Sequence, residues 1–374
     1  MNAVRTGTRR TVDGLFRLLY PGAESFRDGP SARRETRALA AALVAALCAA
    51  ATGLIVFHGD TPLWAPVSPG SVGLLFAGLA AIVAACFEYL RAPAPVARIR
   101  SRGATILQRV VSTASIALVH GGIALLLVGL ANAVLVRGFS GLQVDVFTST
   151  MIVVVIGTAA AYAATLSAGD VTASRLSTLL AVFMTGGIVV AMLTTSDAEW
   201  WKLHFSELGA GAGSSGVVFN ATLIVGGMLL ASLAALMAPS LEAWAATAVP
   251  SRTRNTRLVG WAFVLIGACL AGVGAVPVNV SLVVHNSFAT GMAVLFGGLL
   301  IGLRWLLDGF SRAFMFFSDL TLIVIAVSAI LFWPVEYYNL AAFELAAAGV
   351  IFAWLIIFLR YLDASAARPA NVEA

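Results

Sequence analysis

The chain has 374 residues, of which 60% are hydrophobic and 11% charged, with a mean hydropathy of +0.94 and a formal net charge of +5. A soluble domain carries about 25% charged residues, so these few charges cannot cover a water-facing surface of this size and the soluble classes are excluded. The basic residues fall in short segments between apolar runs rather than along one face, which excludes a nucleic-acid partner and makes their placement a record of topology.

Residues 1–37 form a basic tail with eight arginines between Arg5 and Arg37. The first apolar run begins only near Leu39, too late and behind too long a basic lead for a cleaved signal peptide. It reads as an uncleaved first helix with a cytoplasmic tail. Within the tail, Leu15, Phe16, Leu18, Leu19 and Tyr20 beside Arg17 are expected to form an interfacial turn or two, stopped by Pro21.

Four apolar runs at 38–57, 70–90, 112–136 and 147–168 make a membrane region over 38–168. Six more at 177–195, 217–238, 257–277, 281–303, 313–333 and 341–361 make a unit over 175–362, followed by a tail at 363–374. Each run is long enough to cross the roughly 30 Å hydrocarbon core as a helix. The expected fold is an all-α, polytopic transmembrane helical bundle of about ten helices. Sidedness gives an independent test of that count, because Lys and Arg concentrate on the cytoplasmic side. With ten spans, 21 of the 23 Lys and Arg residues fall on one side and only Arg137 and Lys202 on the other. An even count with both termini in the cytoplasm and a plasma-membrane location follow as expectations.

Ionisable groups inside a bilayer are costly and therefore informative. His120, about eight residues into the third span, is expected to be a neutral imidazole hydrogen-bonded to a neighbouring helix. Glu88 and Asp319 lie near the inner ends of their spans and are expected to pair with Arg91 and Arg312. Cys48, Cys86 and Cys269 lie in apolar runs without metal or redox spacing and read as small packing residues. Gly298 and Gly302 have the small-xxx-small spacing of a helix contact.

The longest outer loop, 196–216, mixes Trp200, Trp201, Phe205 and Leu208 with charges, as expected of a short helix lying at headgroup level and stopped by Gly209. The two tryptophans serve either as interfacial anchors or as a stacking surface for a ligand. His204 and Glu207, spaced i and i+3, share a face and suit an acid/base couple or a structural hydrogen bond. The ten-span topology places these residues at one depth with Asn220, His285, Asn286, Glu336 and Glu344. They are the candidates for an outer-face pocket, with His204, Glu207 and His285 the candidates for any catalysis. No Walker loop, dinucleotide fingerprint or serine elbow occurs, so no cofactor is expected. No helical His-x-x-x-His or Glu-x-x-His pair occurs either, and no metal is expected, although His204, His285 and a carboxylate leave a mononuclear site open.

The stretch Trp200-Trp201-Lys202-Leu203-His204-Phe205-Ser206-Glu207-Leu208-Gly209, with Phe219-Asn220 and His285-Asn286, resembles the bacterial membrane family called domain of unknown function 998. The resemblance implies a six-helix unit over about 175–362 whose first outer loop carries the signature. The first four helices are then an addition of the kind associated with actinobacterial members, which the Ala-rich, Arg-over-Lys composition fits. A more remote similarity to eukaryotic autophagy-modulator and lipid-remodelling six-helix proteins points towards lipids. Three functions are in play: binding or modification of a lipid or envelope amphiphile at the outer face, secondary transport by inverted five-helix repeats, and a scaffold holding membrane-protein partners. Leu118-Val119-His120 echoes Val283-Val284-His285 across the two halves, as the transport reading requires.

Overall fold

A computed structural model describes residues 29–91, 106–211, 213–246 and 253–366. The expected interfacial turn around Arg17 and most of both tails lie outside the described residues. Among the described residues, ten helices are long and apolar enough to cross a membrane. They are α1 (Pro30–Val56), α2 (Pro69–Arg91), α3 (Ile106–Gly138), α4 (Val146–Ala168), α5 (Ala173–Thr194), α6 (Ser214–Ala246), α7 (Thr253–Ala275), α8 (Leu282–Leu306), α9 (Arg312–Phe332) and α10 (Leu340–Ala366). The polytopic all-α fold is therefore observed. Two-residue strands β1 (Thr61–Pro62) and β2 (Gln143–Val144) form an antiparallel pair that ties the α1–α2 and α3–α4 connections together.

Local chemistry sets the helix starts. Asp145 caps α4 by accepting the amide protons of Phe147 and Thr148, while Thr172, Ser281 and Ser311 cap α5, α8 and α9 with hydroxyl oxygens. Pro30 opens α1, where its missing N–H costs nothing. Three helices outrun their expected spans: α1 begins eight residues early at Pro30, α3 six residues early at Ile106, and α6 continues through Pro239 to Ala246. Leu241 and Trp244 on that extension are buried, and their packing holds the helix past the proline.

The helices pack in two manners. In α1–α4, α4 lies against α1 and α2, and α2 against α3. The core there is built of alanines, including Ala77, Ala81, Ala85, Ala161 and Ala168, because small residues let helices approach when no hydrophobic gain separates lipid from protein. In α5–α10 each helix packs on the next and α10 returns to α5, with α6 also touching α10 and α3. Large side chains fill that core. Trp354, fully buried, stacks on Phe358 at 5.0 Å, meets Phe296 edge-on at 5.4 Å and donates to Ser318 Oγ at 2.9 Å. About 67% of the apolar window of α6 is buried, against 17–39% in the other spans, so α6 is the hub. The tightest crossing joins α6 and α7. A Cβ on Gly227 would sit 2.4 Å from the Gly267 carbonyl oxygen, and one on Gly267 would sit 2.5 Å from that of Gly227.

Three expected contacts are replaced by others. A Cβ on Gly298 would meet only open space, so the small-residue contact is at Gly227 and Gly267 instead. Glu88 is buried and accepts from Arg37 Nε at 3.0 Å on both carboxylate oxygens, while Arg91 lies 4.1 Å over the Phe87 ring. Asp319 pairs with Arg304 of α8 rather than with Arg312. Cys48 is exposed on α1 and is no packing residue.

Candidate functional site

The connection between α5 and α6 is two short turns rather than one amphipathic helix. Trp200–Lys202 makes a 3₁₀ turn, and Glu207–Ala210 a single helical turn that includes Gly209. Asparagines from three other segments fasten it. Asn220 Nδ2 donates to the Gly209 carbonyl at 2.9 Å, Asn279 Nδ2 to Ala210 at 3.1 Å and Asn339 Nδ2 to Trp201 at 2.6 Å. Gly209 is required by close approach, since a Cβ there would lie 2.5 Å from Asn220 Oδ1. Trp200 meets Phe205 edge-on at 5.5 Å, and Phe205 leans on Phe219 of α6 at 6.2 Å.

Four titratable groups stand around this frame, His204, Glu207, His285 and Glu344. Glu344, in the first turns of α10, accepts the Phe205 amide proton at 2.6 Å and interacts electrostatically with both His204 and His285. His204 Nε2 lies 3.7 Å from Glu207 Oε2, too long for a hydrogen bond. His204 Nδ1 is buried and has no hydrogen-bond partner among the described residues. His285, 3% exposed in the first turn of α8, bonds through Nδ1 to the Val276 carbonyl oxygen at 2.8 Å and through Nε2 to Ser206 Oγ at 3.0 Å. A carbonyl only accepts, so Nδ1 carries the proton and, in the neutral ring, Nε2 presents its lone pair to the Ser206 hydroxyl. That is the arrangement by which an imidazole takes a proton from a serine. Sequence reasoning missed Ser206, although it stands between His204 and Glu207. Its partner is 79 positions away, and no local spacing announces the pair.

The other candidates fall outside the cluster. Asn286 is exposed, turned about 100° from His285 by the helical repeat. Glu336 is exposed in the α9–α10 connection with φ of 55°. Trp201 is half exposed, with Lys202 Nζ 5.8 Å from its ring centroid. Asn220 is a buttress of the loop rather than a lining residue. His120 lies apart, buried, with Nδ1 2.7 Å from the Ile116 carbonyl oxygen and Nε2 2.9 Å from Ser167 Oγ of α4. Among the described residues no three His, Cys, Asp or Glu side chains come together as metal ligands would.

Two cavities open elsewhere. One of about 470 Å³ is lined by His120, Ser167 and apolar residues of α2–α5, and one of about 730 Å³ lies among α3, α6 and α7. Comparison with protein-family models, curated proteins and solved structures finds no match to this chain.

Proposed function

We propose that this multi-pass membrane protein binds an envelope amphiphile by its polar headgroup at the cluster of His204, Glu207, His285 and Glu344. The observation that carries the reading is the buried Nδ1 of His204, which has no hydrogen-bond partner among the described residues, on a ring whose Nε2 lies 3.7 Å from Glu207. Leaving such a group unsatisfied costs about 1–3 kcal/mol, and a ligand that supplies the missing hydrogen bond recovers it. The flanking aromatic step of Trp200 and Phe205 offers an apolar surface next to the polar one, as an amphiphile needs. The stretch that bears the family resemblance is the same one that builds the cluster.

Native mass spectrometry of the gently solubilised protein tests this. The wild-type protein is expected to carry a bound amphiphile that His204→Ala and His285→Ala both lose while keeping a cooperative thermal transition. Folded variants that retain the wild-type ligand would sink the reading.

Helix pairing weighs against transport by inverted repeats. In a five-plus-five division α4 corresponds to α9, yet α4 packs chiefly on α1 and α2, whereas α9 packs on its sequence neighbours α8 and α10.

A further inference from the structure

The cavity of about 730 Å³ is a groove whose floor is α6 and whose walls are α3 and α7. Both walls pack on α6 without being principal neighbours of each other, which leaves the space between them. Its floor stays low because the side chains are small, notably Ala231, Ala235 and Ala238. The volume lies within the range of about 300–1,000 Å³ usual for small-molecule sites.

The lining changes character along its length. Towards the middle of the bundle it is apolar, through Val264, Ala268 and Ala271. At the end where the arginines gather it carries Gln108, Glu242, Thr256 and Arg257, beside Trp261, which is 63% exposed. Pro239 has no N–H to give, so the Ala235 carbonyl in the floor lacks its helical donor. From Arg257 to Ala271 the wall is about 21 Å long at 1.5 Å per residue, enough to span one leaflet of a core roughly 30 Å thick. A cation and a carboxylate at the headgroup level, above an apolar channel one leaflet deep, match a molecule with both charges at one end and a chain at the other.

We propose that this groove is a second lipid site, separate from the His204 cluster, that holds one zwitterionic phospholipid of the leaflet on the basic side. An acyl chain lies along α6, the phosphate meets Arg257, and the ammonium group meets Glu242. Glu242 and Arg257 sit on different helices, so the headgroup bridges α6 and α7 above their closest crossing.

The test reconstitutes the full chain in vesicles containing phosphatidylethanolamine with a photoreactive acyl chain and maps the labelled peptides. Label is expected on α6 around Ala231–Ala235 and on α7 around Val264–Ala268. Arg257→Gln, on an exposed side chain, is expected to lower that labelling about tenfold, which corresponds to ~1.4 kcal/mol. Ala235→Phe is expected to abolish it by filling the floor, and His204→Ala to leave it unchanged. Label spread evenly over the lipid-facing helices, absent from α6 and α7, or indifferent to both groove variants would overturn the site. Equal labelling by a photoreactive diacylglycerol, which has no charged head, would overturn the zwitterionic assignment.

Discussion

Glu344 holds the α5–α6 connection by a single hydrogen bond from the Phe205 amide, and that bond separates its structural part from its electrostatic one. Glu344→Gln keeps a carbonyl oxygen for the amide proton and is expected to leave the melting temperature near that of the wild-type protein. Glu344→Leu leaves the Phe205 N–H unpaired and is expected to cost about 1–3 kcal/mol, read as a lowered melting temperature. Both changes remove the ionisable group that interacts with His204 and His285. If the two variants melt alike, the hydrogen bond is not what fastens the loop. At this scale the sequence marked residue types but not partners. Arg91 is nearest to Glu88 along the chain, yet Arg37, 51 positions away, reaches it in space. His285 and Asn286 are adjacent, but one helical step turns the first inward and the second outward. Such choices depend on which neighbouring helix supplies the other wall, and no spacing within one helix contains that information.

The crossing of α6 and α7 is where one element most constrains another. Gly267→Leu drives a side chain into the backbone of α6 and is expected to abolish cooperative unfolding, since even modest overpacking of a core costs about 1–3 kcal/mol. Gly298→Leu, placed in open space, is expected to be tolerated, and thermal melting of the two variants compares them directly. Both glycines look alike in the sequence, where small residues recur every few positions. Only the pairing of Gly227 with Gly267 distinguishes them. The cap of α4 makes a pH-dependent contribution. The Thr148 hydroxyl, then the backbone amides of Thr148 and Phe147, hold the Asp145 carboxyl below its ordinary value. A lowered carboxyl pKa stabilises the folded state above the unfolded value, and the contribution fades as pH falls through the folded one. The melting temperatures of the wild-type protein and Asp145→Ala are therefore expected to differ at neutral pH and converge in acid. A gap that persists at low pH would argue against the ionised cap. Helix existence was legible from the length of each apolar run, because a bilayer forces every spanning segment to satisfy its own backbone. The extension of α6 past Pro239 was not, since it rests on the burial of Leu241 and Trp244 by other helices.

For the whole molecule, the number of crossings was readable because charge alternates from one connection to the next. The ring of α5–α10 and the alanine-packed α1–α4 were not. Lipid tails are as apolar as leucine, so an exposed side chain such as Val283 and a buried one such as Leu229 look the same in the chain. Every functional inference above depends on which water each end of the bundle meets. The distribution of Lys and Arg predicts the His204 cluster outside and the termini and the Arg257 end of the groove inside. With the three native cysteines changed to alanine, a single cysteine at Ala198 or at Glu373 can be offered an impermeant maleimide in intact cells. The expected result is labelling of Ala198→Cys without permeabilisation and of Glu373→Cys only after it. Labelling in the reverse order, or of both sites in intact cells, would overturn this topology.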